Sequence, residues 1–291
     1  MENHFARRTC SHCGGQYDPI EGKCPRCGEV TETEAFARGY LHQVHAEPWR
    51  QIVLFLIGIL GLQIASLIVS VFAGAIVGMA NPGASPDQLN EISSSAGVSL
   101  AINGIAYLAV SIALFFVARP LLKQIGRSFK GWLPYVAAIV AVAFIIGMDM
   151  FYNNLIASPL MRLAGIAPSA NGNQSRINTM IASYPVVSVF VFGILGPLVE
   201  EIAYRVGLFG FLGRINKVAA YILGMLVFGL IHFDWNAFGD SQRLIIELIN
   251  LPPYVGAGAL LCFVYDRFGF GASFLAHAMN NIIGIVIALI P

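Results

Sequence analysis

Residues 52–80 read IVLFLIGILGLQIASLIVSVFAGAIVGMA. No charge interrupts them, and at about 1.5 Å of rise per residue they are long enough to cross the roughly 30 Å hydrocarbon core of a bilayer. Such a stretch belongs either in a membrane or deep inside a large soluble core. Composition decides between the two. Of 291 residues, 57% are hydrophobic and 11% charged, where soluble domains carry about 25% charged residues. The mean hydropathy is +0.71. So little polar surface excludes a water-soluble fold.

Outward from this first span (51–79), apolar runs between breakers predict others near 97–118, 132–157, 184–212, 218–233 and 271–290. Asn81-Pro82-Gly83 and Ser85-Pro86 end the first one. Between the last two, 243–267 reads as a helix broken at Leu251-Pro252-Pro253, or as two short pieces. The expected fold class is all-α, a polytopic transmembrane helical bundle of seven or eight spans over 49–291. Met1 to Cys13 is polar, without the apolar core or cleavage site of a secretory signal. The first apolar segment is therefore expected to remain a span.

Charge divides the chain differently. Seven of the sixteen acids and six of the seventeen bases fall in the first 50 residues. That predicts a polar head (1–30), a juxtamembrane linker (31–48) and a membrane body. A net charge of +1 offers nothing to nucleic acid; the lipid bilayer is the expected partner. Lys and Arg mark cytoplasmic ends. The head carries Arg7, Arg8, Lys23, Arg26, Arg38 and Arg50, and the loop 81–96 carries none. Arg119, Lys123, Arg127 and Lys130 follow, then Arg214 and Lys217, then Arg267. This alternation predicts a multi-pass cell-membrane protein with a cytoplasmic N-terminus. The segment 158–183, an outer loop by this count, departs from it with Arg162 and Arg176. Trp49 and Trp132 suit the headgroup zone.

The head holds Cys10-x-x-Cys13 and Cys24-x-x-Cys27. Two such pairs can place four thiolates on one tetrahedral zinc, and four cysteines leave no open position for catalysis. Paired disulfides would need an oxidising compartment, at odds with a cytoplasmic head. A structural zinc ribbon is the expectation, with the metal supplying most of the folding energy of so short a segment. Cys262, alone in an apolar run, reads as a small core residue.

Ionisable groups inside a membrane are costly and mark function by default. One span carries Glu200, Glu201 and Arg205. Glu201 and Arg205, four apart, share a helix face and can pair, while Glu200 points about 100° away. Gly196-Pro197 can kink the span beside them. Only two of the six histidines lie in the body, in Phe228-x-x-x-His232 and His277-x-x-x-Asn281. Counted from the predicted cytoplasmic ends at about 1.5 Å per residue, Glu200, His232 and Asn281 lie roughly 20 Å deep and His277 about 13 Å. One convergent site is compatible with these depths. Asp149 and Glu247 have no assigned role; Asp149 either faces the same cavity or pairs with Arg205. Asp266-Arg267 reads as a boundary charge.

Glu200-Glu201-x-x-x-Arg205, Phe228-x-x-x-His232 and His277-x-x-x-Asn281, in this order on successive spans, resemble the CPBP family of CAAX prenyl proteases and bacteriocin-processing or immunity-type relatives. The resemblance covers about 185–290. It departs from the family's Phe-Arg-Gly after the acids, which here reads Tyr204-Arg205-Val206. It implies an intramembrane endopeptidase acting on a peptide or protein substrate in or near the membrane. Within that family reading, Glu200 is expected to activate water held by His232. His277 and Asn281 are expected to donate to the oxyanion, and Glu201–Arg205 to orient Glu200. A metal-assisted hydrolase, with two histidines and a carboxylate on zinc, is the other scheme. A non-catalytic scaffold or immunity-type protein is the rival function. The sequence has no His-Glu-x-x-His and no Gly-x-Ser-x-Gly, which removes the site-2 zinc and serine classes.

Overall fold

The computed structural model describes residues 44–290 and, before them, Arg8, Thr9, Gln16, Tyr17, Cys24 and Arg26. Two short strands, β1 (Arg8–Thr9) and β2 (Gln16–Tyr17), pair antiparallel, and Cys24 is buried. The zinc-ribbon expectation also needs Cys10, Cys13 and Cys27, which lie outside the described residues.

The body is helical. Among the described residues five helices are long and apolar enough to cross a membrane: α1 (Pro48–Ala80), α3 (Ala96–Arg127), α4 (Leu133–Leu163), α6 (Pro185–Leu212) and α8 (Ser241–Ala288). Between them lie the short α2 (Pro86–Ser93) and α5 (Gly172–Ser183) and the apolar α7 (Lys217–Leu230). Side chains such as Leu67, Phe72, Phe116 and Phe144 are exposed along the long helices, as lipid-facing surfaces are. Helix α8 is two arms. At Gly269 the backbone turns to φ 81°, a conformation that suits glycine. The second arm then starts against α3's end, where Gly271 N–H donates to Ser128 Oγ (2.9 Å).

The prolines do not break α8; the helix runs through Pro252-Pro253. Pro253 has no N–H for the carbonyl four residues back, Ile249. That carbonyl accepts instead from Tyr152 Oη of α4 at 2.8 Å. A neighbouring helix replaces the lost bond, as happens where water cannot. Nor is 158–183 only a loop. Asn171 caps α5 by accepting from Gln174 N (2.8 Å), the Asn-x-x-Gln arrangement of a helix start.

Small residues set the tightest contact. A Cβ on Gly58 of α1 would fall 2.1 Å from that of Ala203, and one on Gly207 of α6 would fall 2.9 Å from the Gln51 carbonyl. Without a hydrophobic drive between helices in lipid, this close approach is how α1 and α6 pack.

Lys- and Arg-bearing ends gather on one face. Arg50 donates to Val117 O (2.6 Å), Arg214 to Ala46 O and to Gln51 Oε1 (2.8 Å), and Lys217 pairs with Asp266 (2.7 Å). The incoming segment 44–46 is held there. Gln124 meets His45 N and O (2.9 and 3.1 Å), and Tyr265 Oη reaches Val44.

Candidate active site

Helix α6 carries the two glutamates on an irregular backbone. Val189–Leu195 and Glu201–Phe209 are π-helical, with one α-helical turn, Gly196–Glu200, between them. Wide turns of this kind cluster at functional sites. Gly196 N–H bonds to Val191 O, five residues back. In that register the next donor would be residue 197 to the Phe192 carbonyl, and Pro197 has none. Asn281 Nδ2 fills the gap at 3.0 Å. The sequence's Gly-Pro step and its Asn281 are thus two halves of one device, fixing the turn that presents Glu200.

Glu200 and Glu201 then diverge. Glu201 is fully buried, with Oε2 3.4 Å from Arg205 Nε and Oε1 3.1 Å from His277 Nδ1. The Arg205 guanidinium lies 5.0 Å from the Phe228 ring and donates to Cys262 Sγ (3.6 Å). Glu200 instead lines a cavity of about 510 Å³. Its Oε1 meets Tyr107 Oη at 3.4 Å, and its Oε2 has no hydrogen-bond partner among the described residues. His277 Nε2 stands 3.8 Å from Oε2.

His232 also lines this cavity. It follows the end of α7 rather than lying within the helix, and its Nδ1 meets the Phe228 carbonyl at 2.7 Å. A carbonyl only accepts, so Nδ1 carries the proton and a neutral ring keeps its Nε2 lone pair. Tyr254 stacks on the ring at 4.6 Å, and Phe228 packs against both imidazoles (4.9 and 5.4 Å). Asn281 shares the cavity wall. His277 does not: it stands behind Glu200, between the two carboxylates.

The six motif residues therefore come together in two layers. Glu200, His232 and Asn281 face the cavity; Glu201, Arg205 and His277 stand behind. Asp149 joins neither. It accepts from Asn153 (2.9 Å), and Arg205 is already paired with Glu201. Glu247 ties the cavity mouth instead, accepting from Gly172 N (2.7 Å) and Asp234 N (3.0 Å). Asp234 in turn pairs with Arg176 at 3.0 Å. Among the described residues no three His, Cys, Asp or Glu side chains gather as a metal-ligand set. His277 Nδ1 is bonded to Glu201, and its Nε2 stands near Glu200 without a hydrogen bond.

Residues 182–283 match the Rce1-like family of type II CAAX prenyl endopeptidases. The match spans a little over a third of the chain and takes in all six motif residues. No curated protein and no solved structure matches. The Rce1-like segment supplies α6, α7 and most of α8, but it does not complete the cavity. Tyr107, Asn103 and Ser99 of α3, Gly58 and Gln63 of α1, and Arg176 of α5 also line it, from outside the matched residues. Tyr107 is the cavity residue the motif reading missed. A hydroxyl in an apolar run is its one sequence signal, because a buried tyrosine usually finds a partner.

Proposed function

We propose that the chain is an intramembrane endopeptidase in which Glu200 activates the attacking water. One observation carries the reading: among the described residues Glu200 is the sole carboxylate lining the cavity, and its buried Oε2 has no hydrogen-bond partner. The family match supports it independently. A water held between the Glu200 carboxylate and His232 Nε2 gives up its proton to Glu200 as its oxygen attacks the peptide carbonyl. The second N–H of Asn281 is a donor available to the oxyanion, effective in a hollow shielded from bulk water, while the Tyr107 hydroxyl holds Glu200 Oε1. Glu200 then returns the proton to the leaving amine. His277 and Glu201–Arg205 act as positioning residues, holding Glu200 from behind.

The same reading orients the chain with seven crossings, α8 counted as two, and a cytoplasmic N-terminus bearing a zinc-bound head. Glu200→Gln in proteoliposomes tests the chemistry. Cleavage of a quenched fluorescent peptide should fall about 10²- to 10⁴-fold, as expected for a lost general base, with melting unchanged. Retained cleavage would sink the glutamate scheme. A wild type that cleaves nothing, with the cluster needed only for folding, would leave a scaffold.

A further inference from the structure

The cavity and the basic face lie at opposite ends of the bundle. Arg50, Arg119, Lys123, Arg127, Lys130, Arg214, Lys217 and Arg267 all stand at the ends gathered by the Arg50–Val117, Arg214–Ala46, Lys217–Asp266 and Ser128–Gly271 contacts. Among the described residues the other end keeps Arg162, Arg176 and Arg243, against Asp87, Glu91, Asp234 and Asp240. The cavity's walls come from that other end. Ser99 to Tyr107 are the first turns of α3, Asn280 to Ile285 the last turns of α8, and α5 contributes Asn173 to Ile181. Arg176 marks the mouth, since its side chain is 59% exposed while that of Glu200, deeper in, is 11% exposed.

Lys and Arg near span ends stay on the cytoplasmic side. From this, we infer that the cavity opens to the non-cytoplasmic face, and that its substrate is a peptide segment reaching the membrane from that side. A prenylated tail held at the cytoplasmic surface would meet the closed end. Helices α1, α3 and α6 packed between that surface and Glu200 would bar its path. The inference rests on the endopeptidase reading for the word substrate, but the direction of opening stands on charge and geometry alone.

Two single-cysteine additions to the full chain in intact cells test the direction. Ser175→Cys lies on the exposed face of α5 outside the cavity lining, and Lys123→Cys lies at the basic end. A membrane-impermeant maleimide should label Ser175→Cys in intact cells and Lys123→Cys only after permeabilisation. The reverse pattern overturns the inference. A non-permeant quenched peptide offered to right-side-out and inside-out vesicles tests the substrate. Cleavage only in right-side-out vesicles supports the inference, and cleavage only in inside-out vesicles overturns it. Cleavage in neither, with labelling as expected, fails the endopeptidase reading and leaves the orientation standing.

Discussion

Glu200 and Glu201 are neighbours in the chain and opposites in circumstance. Glu201 faces the protein, matched by an arginine and an imidazole in full burial. Glu200 faces a cavity, with a tyrosine hydroxyl on one oxygen and nothing bonded to the other. A buried charge is tolerable only when it is paired, and Glu201 has the Arg205 guanidinium at 3.4 Å and His277 at 3.1 Å, so the rear acid is a matter of stability. The front acid lines a hollow and keeps one oxygen without a hydrogen bond, so it remains free to accept a proton. One residue of offset, about 100° on a helix, divides holding from reacting.

Removing the rear charge should have the largest effect on folding. Glu201→Gln leaves Arg205 buried without its counter-charge, and a loss of about 3–5 kcal/mol is expected, read as a lower midpoint in detergent-denaturation curves. A Glu201→Gln protein as stable as wild type would erase the distinction. Next comes the contact that holds α6 from outside. Gly58→Val puts side-chain atoms into Ala203, and overpacking of this kind costs about 1–3 kcal/mol. Little change would mean that α1 gives way easily. The smallest effect sharpens the front. Tyr107→Phe removes one hydrogen bond to Glu200, worth about 0.5–1.5 kcal/mol, so peptide cleavage should slow by about three- to tenfold with stability near wild type. A variant that melts early but cleaves normally would move Tyr107 to the rear group.

Much of this division could be read from sequence, because the membrane makes polar residues conspicuous. The four-residue spacing of Glu201 and Arg205 predicted their pairing, and the Rce1-like match covers the same motifs. What escaped was whatever depended on partners far along the chain. Pro252-Pro253 looks like a break because nothing local shows that Tyr152 will take the Ile249 carbonyl. Nothing in its own motif shows that Asn281 also donates to the Phe192 carbonyl, which Pro197 leaves without its helical partner. Helix α5, polar and short, lacks the apolar periodicity that announces a span, so only its Asn171 cap gives it away. His277 could be assigned to the site by motif but not to a layer within it. Its position between two carboxylates follows from how the second arm of α8 leaves Gly269.

The difference between front and rear can be measured directly on the wild-type protein. Dicyclohexylcarbodiimide reacts with carboxyl groups it can reach in apolar surroundings, and peptide mapping by mass spectrometry locates the adduct. Glu200 should be modified, Glu201 should not, and peptide cleavage should fall in proportion to the fraction of Glu200 modified. A protein that still cleaves with Glu200 fully modified, or one labelled first at Glu201, would contradict the account.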